Sequence, residues 1–318
     1  MPVTTIAEPQ ARSLSRTVLE CLFHAVHEGI FSRPSRLMQM LRESPSMRVH
    51  IADSNTQIAQ RSVVRWHEWG DPELLAWPQG GRGVVTGWRR VGGAYEMFQA
   101  TIPALMAFAK CHSIVEWSCE IQDLSGFSNS QSDLSRFSSL DALVQSDARD
   151  LIRSISLDGL VKNLAHPGIG ILRDPKTTDH FVRFAWDKRF FLDNADGSHH
   201  LAAARFIAKR IGESVPLPGL LRTYAVSEEA VRLINAEYYV FAISNDGMVR
   251  EAFHQAMRSF KTSYLLHRLP SPIEGAVAVL LPRIESRSAV VAAAMREAGI
   301  FDIGAHLEHI CARQASVI

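Results

Sequence analysis

Residues 190–208, FFLDNADGSHHLAAARFIA, constrain the fold of this chain more than any other stretch. A short apolar run with strand character ends at Asp196-Gly197, a turn dipeptide. Ser198, His199 and His200 follow, and an alanine-rich segment with strong helix propensity begins at once. A strand that turns sharply into a helix aims the helix's first N–H groups at one point. Those groups lack intrahelical acceptors and sit at the positive end of the helix dipole. Such a point suits a phosphate or another anion. Gly197 lets the backbone approach without a Cβ, and Ser198 and the two imidazoles add polar groups. The plainer reading stays open here: a β-to-α turn, a serine N-cap and two surface histidines.

The rest of the sequence sets the frame. A chain of 318 residues with 47% hydrophobic and 21% charged residues has the composition of a globular protein with one large or two modest cores. Its net charge of +1 gives no global attraction to nucleic acid. The cysteines Cys21, Cys111, Cys119 and Cys311 include no CxxC pair, which speaks against a zinc ribbon or a thioredoxin-like motif and for reduced thiols in the cytoplasm. The N-terminal residues lack the apolar stretch of a signal peptide. No apolar run is long enough to span a bilayer, so no membrane partner is expected.

Periodicity divides the chain into an N-terminal α+β region (1–124), a serine-rich connection (125–139), a core (140–245) and a C-terminal α/β extension (246–318). Apolar spacing predicts helices over 13–29, 95–110 and 140–155, with Ser139 as N-cap of the last. Alternation predicts strands through 47–91, and again over 113–121, 181–185, 190–192, 238–243 and 276–281. Helices are expected over 199–211, 227–236 (N-cap Ser227), 248–260, 288–298 and 300–313.

Within 140–226 these pieces fall in a telling order. A helix leads to Asp158-Gly159-Leu160, then a strand, then Asp196-Gly197-Ser198-His199-His200 opening a helix with Ala202-Ala203-Ala204, then Val215-Pro216 and another strand. This order resembles the ParB/sulfiredoxin-like superfamily, whose "DGxHRxxAA" box opens a phosphate-receiving helix. The expected fold is therefore α+β, a ParB/sulfiredoxin-like core flanked by the N-terminal domain and the C-terminal extension.

The resemblance implies a nucleotide or phosphate ligand, a nucleoside triphosphate with magnesium as cofactor, and NTPase or nuclease activity. The alternative it implies is a non-catalytic DNA-binding or protein-interaction regulator. Asp196 and His199 take the catalytic positions. Gly197, Ser198, His199, His200 and Arg205 take the phosphate-binding positions, with Arg205 facing either the site or solvent. Two departures stand out. Ser198 occupies the position of the sulfiredoxin cysteine, so sulfinic acid reduction is not expected. His200 replaces the usual arginine and removes a permanent bidentate donor. An imidazole there holds phosphate best when protonated.

Other signals are weaker. His24/His27 and His306/His309 sit one turn apart on predicted helices, a metal-ligand spacing without a companion pair. Residues 65–69 (RWHEW) and 88–90 (WRR) interleave aromatic and basic residues, as nucleic-acid surfaces do, but half-buried strands read the same way. Gly80-Gly81-Arg82-Gly83 and Gly168-Ile169-Gly170 complete no nucleotide-loop motif and read as turns.

Overall fold

The computed structural model describes residues 33–53, 56–72, 81–174 and 176–314. The helix expected over 13–29, with His24, His27 and Cys21, lies outside them. The fold is α+β, built on two sheets. The strands are β1 (Val84–Val91), β2 (Ala94–Thr101), β3 (Ala109–Glu120), β4 (Leu124–Phe127), β5 (His180–Phe184), β6 (Phe190–Asp193), β7 (Pro216–Val226), β8 (Tyr238–Ser244), β9 (Tyr264–Arg268), β10 (Ala276–Pro282) and β11 (Phe301–Asp302). One sheet has the order β3-β7-β5-β6-β4 and the other β11-β8-β10-β9-β1-β2. Residues 84–120 thus supply strands to both.

The helices are α1 (Ser35–Glu43), α2 (Pro103–Met106), α3 (Leu140–Asp147), α4 (Leu157–Leu164), α5 (Gly170–Arg173), α6 (Ser198–Ile211), α7 (Glu228–Glu237), α8 (Gly247–Phe260), α9 (Ser286–Glu297) and α10 (Ile303–Gln314). They complete three layers of core. Helices α3, α4 and α6 cover one face of the five-stranded sheet through Leu143, Leu160, Ala203 and Ile207. Both sheets meet in a central core with Trp66, Trp69, Phe108, α7 and α10. Helices α1, α8 and α9 close the far face of the six-stranded sheet. Strand β10 shows why one apolar run serves two layers. Ala276, Ala278 and Leu280 face the central core, and Val277, Val279 and Leu281 face the outer one, as the period-two geometry of a strand requires. Burying each of the larger ones contributes about 1.5–3 kcal/mol.

Several expectations held. Ser139 caps α3 by accepting from the Ala142 N–H at 3.1 Å, and Ser227 caps α7 by accepting from Ala230. Others need correction. Residues 95–110 are not a helix. They form β2, the single turn α2 and the start of β3, with β2 pairing along its length with β1. The described residues of 47–83 carry 3-10 turns at Pro45–Met47, Gln60–Ser62 and Trp66–Glu68 and none of the named strands. Trp66 and Trp69 pack edge to face at 5.8 Å and are fully buried. Burial of both rings removes them from any stacking surface. The helix expected over 140–155 stops at Asp147 and continues as a 3-10 turn, Arg149–Ile152. The serine-rich stretch 125–139 places Leu134 and Phe137 in the core under α6.

His306 lies in a charged cluster, not beside a metal companion. Its Nε2 contacts Asp53 Oδ1 at 2.7 Å, Trp66 Nε1 donates to the same oxygen at 3.0 Å, and Arg313 pairs with Asp53 Oδ2. Burial acts to raise the Asp53 pKa, but His306, Trp66 and Arg313 outweigh it and hold the carboxyl below its usual range. Asp53→Ala strands these donors in a site where the carboxylate is 6% exposed. It is expected to lower unfolding free energy by about 2–4 kcal/mol in urea titrations at pH 7. A change below about 0.5 kcal/mol would show that water replaces the carboxylate without penalty.

Candidate functional site: a histidine-lined pocket at the start of α6

The site grows from the end of β6. Asn194 holds the descending chain in place. Its side-chain amide donates to Asn129 O (3.2 Å) and Asp196 O (2.9 Å), and its backbone N–H donates to Ser128 Oγ. Buried Asp179 accepts the Ala195 N–H at 3.0 Å. Asp179 is therefore a brace for the loop. Gly197 then adopts φ +77°, ψ 6° and opens α6 with no side-chain cap. A Cβ there would lie 2.5 Å from Gly168 O and 2.6 Å from its carbonyl carbon. The glycine is required by the 166–169 loop packed against it.

Asp196, Gly197, Ser198, His199 and His200 line one pocket with Gln131, Leu151 and His166. Its volume is about 240 Å³, enough for a phosphoryl group and part of what carries it. Five of the six residues singled out from sequence thus meet in one place. Arg205 does not. Its guanidinium donates to Asp141 Oδ1 on α3 (2.9 Å) and to Gln122 O (3.1 Å), so it ties α6 to its neighbours. Arg189 is likewise engaged, by Asp187 and Gln57 O.

The hydrogen bonds fix the state of each side chain. Ser198 is 4% exposed and its hydroxyl donates to Ser130 Oγ at 2.9 Å. Ser132 donates to Asp147 Oδ2 at 2.6 Å, which leaves its lone pairs for the Nε2–H of His199 at 2.9 Å. The Ser132 and Ser146 hydroxyls lead in holding Asp147 below the usual carboxylate range.

Asn163 spends both amide hydrogens on Leu151 O and Gly159 O. Its Oδ1 therefore accepts, and His200 Nδ1, 3.1 Å away, carries the proton. The His200 Nε2 of the neutral ring is an acceptor. His166 is the reverse case, because its Nδ1 accepts the Gly168 N–H at 3.1 Å and its Nε2 carries the proton in the neutral ring. The two rings stack with centroids 3.7 Å apart, 10° from parallel. Burial, then His166 and His199, push the His200 pKa down, and Asp196 works against them. The sequence expectation that a protonated His200 grips phosphate thus meets an opposing environment.

Sequence reasoning missed His166, Asn163, Gln131 and the serines 130 and 132. The clue available was the serine run itself, which supplies hydroxyls where an apolar linker would not. Among the described residues, no group of three or more His, Cys, Asp or Glu side chains is placed to hold a metal ion. No described helix is long and apolar enough to cross a membrane.

Fold and pocket together define a two-sheet α+β protein with an imidazole-lined site at a helix start. Residues 114–318 match the model of DUF6685, a family of unknown function, and the chain belongs to that family. The match takes in every residue of the pocket. No curated protein and no solved structure matches the chain.

Proposed function

We propose that the pocket binds the phosphate of a nucleotide, and that the half of the protein around the five-stranded sheet is a ParB/sulfiredoxin-like module. The observation that carries the reading is the opening of α6 into an imidazole-lined pocket with no side-chain cap on the helix's first N–H groups. Uncapped N–H groups at a helix start favour an anion. The order α4, β5, β6, Asp196-Gly197, α6, β7 supports the module assignment.

A triphosphate would bring magnesium. Magnesium commonly takes one or two carboxylates and completes its shell with phosphate oxygens and water. Asp196 fits that demand: it lines the pocket, and its carboxylate accepts no hydrogen bond from a described residue. In a hydrolytic NTPase or nuclease, His199 would hold its proton toward Ser132 and Asp147, and Asp196 would stand beside the bound phosphate.

The test is thermal unfolding with ATP, ADP, CTP or GTP, with and without magnesium. A cognate nucleotide at a hundredfold excess over Kd adds about 2.7 kcal/mol, a rise of roughly 5 °C. Asp196→Ala and the double change His199→Ala/His200→Ala should abolish the rise. Stabilisation that survives both changes places the ligand elsewhere, and no stabilisation by any nucleotide removes the nucleotide reading.

A second reading, a protein-interaction or DNA-binding regulator, draws on β3. This edge strand leaves Ile114 at 40% and Val115 at 76% exposure. Salt-sensitive DNA binding without nucleotide turnover would favour it.

A further inference from the structure

The pocket does more than attract negative charge, because two of its groups can only accept hydrogen bonds. His200 Nε2 is an acceptor because Asn163 holds the ring's proton on Nδ1. The Asp196 carboxylate accepts no hydrogen bond from a described residue and lies against the Gly168 backbone, where a Cβ would come within 2.8 Å of Oδ2. Beside them, the His166 ring stacked on His200 offers an N–H from its Nε2, because the Gly168 N–H occupies its Nδ1. Donors and acceptors therefore line the same 240 Å³ space.

A fully deprotonated oxyanion satisfies the donors and leaves both acceptors facing its lone pairs. An oxyanion that keeps a hydroxyl satisfies the donors and gives its proton to one of the two acceptors. We infer that, in the absence of magnesium, the site selects a hydroxyl-bearing oxyanion, the P–OH form of inorganic phosphate or of a terminal phosphoryl group, over an oxyanion of the same shape without a proton. His200 and Asp196 are the specificity-determining residues. This rests on the phosphate reading above and adds what that reading does not require.

The position of the stacked rings supports the assignment. Charging both rings 3.7 Å apart would set two cations face to face. With His166 and His199 nearby and part of the ring withdrawn from water, His200 stays the neutral acceptor at pH 7. The only described group in the pocket that favours its charged form is Asp196.

Sulfate is the natural counter-probe, since it matches phosphate in shape and keeps no proton at neutral pH. The experiment compares potassium phosphate and potassium sulfate by thermal unfolding at pH 7, at equal ionic strength, against potassium chloride. The wild type is expected to bind phosphate about tenfold more tightly than sulfate, the worth of one unpaired acceptor held partly out of water, as His200 is. Asp196→Ala, a change at an exposed position, should raise sulfate affinity and narrow the ratio. His200→Leu should narrow it from the other side, by weakening phosphate.

Equal binding of the two anions by the wild type overturns the inference and leaves the anion site standing. A preference that persists unchanged in both variants also overturns it, because the acceptors would then lie elsewhere. Failure of both anions to bind removes the phosphate reading itself, and the inference with it.

Discussion

Lowering the pH from 7 to 4.5 is expected to strip roughly 5 kcal/mol from the stability of this protein, about half of it through His267 and half through His67. His267 on β9 is 3% exposed, and its Nε2 finds no hydrogen-bond partner among the described residues. Burial first, and then Arg268, push its pKa down to about 4. His67 lies face to face with Tyr224 at 4.2 Å and with Phe184 at 5.5 Å. Burial, and then Arg65 and Arg82, bring it also to about 4. In the unfolded chain both rings titrate near the ordinary value of about 6.5. Between these limits the unfolded state binds more protons, so stability is complete above about 6.5 and declines as the pH falls toward about 4. By pH 4.5 each ring contributes roughly 2–3 kcal/mol of loss, a large share of a typical total of about 5–15 kcal/mol. Asp53 acts in a lower window, because its carboxyl is depressed below an ordinary value that is itself acidic. Urea unfolding at pH 7, 5.5 and 4.5 measures the slope. His267→Leu replaces a ring whose Nε2 has no hydrogen-bond partner among the described residues by an apolar side chain and should remove about half of it. Stability unchanged down to pH 4.5 would mean that both rings open to water at little cost.

The two histidines also mark how far the sequence could be read. His67 stands in a run of alternating aromatic and polar residues, which period-two reasoning takes for a strand. The structure folds that run into a 3-10 turn because Trp66 and Trp69 both go inward, a choice set by the cavity between two sheets and not by local spacing. The same override governs 95–110. Its apolar residues fit a helical spacing, but Gly92 and Gly93 make a tight turn and β2 pairs back on β1 from Val91↔Ala94 to Val84↔Thr101. Pairing with a distant partner decides such segments, as β9 does for β1 through Thr86↔Leu266. Where signals were local they held. The Asp196-Gly197 turn and the caps Ser139 and Ser227 are fixed by neighbours within a few residues.

The pocket follows the same division. The five residues contiguous from Asp196 to His200 were legible because a turn and a helix start bring them together. Arg205, five residues further, was not, since its direction depends on Asp141 of another helix. His166 and Asn163 come from α4 and the loop after it, and only the packing of α4 on α6 brings them to the site. Asn163 was the least legible of all. Its effect on His200 runs through two backbone carbonyls that no motif records.

Gly197→Ala is expected to damage both stability and the pocket, and Gly212→Ala supplies its control. Both glycines bracket α6 in the left-handed region, at φ +77° and +76°. Forcing an alanine into that region costs about 1–2 kcal/mol. At Gly212 the new methyl meets nothing within 4 Å, so that conformational cost is the whole effect. At Gly197 the methyl would stand 2.5 Å from Gly168 O and 2.8 Å from Ile169 N. Neither atom belongs to a flexible side chain, so the 166–169 backbone must move. Overpacking of this kind adds roughly 1–3 kcal/mol, for a total of about 2–5 kcal/mol. The displacement has a second consequence. His166 sits on the moving loop, and separating it from His200 breaks a stack of two pocket-lining rings whose centroids lie 3.7 Å apart. Gly197→Ala should therefore lose phosphate binding even at temperatures where it remains folded, whereas Gly212→Ala should keep it. Chemical denaturation of both variants, paired with anion titrations on each, separates the two costs. If the two alanines prove equally mild and both bind phosphate, the close approach of the 168 peptide to α6 is not what shapes the site.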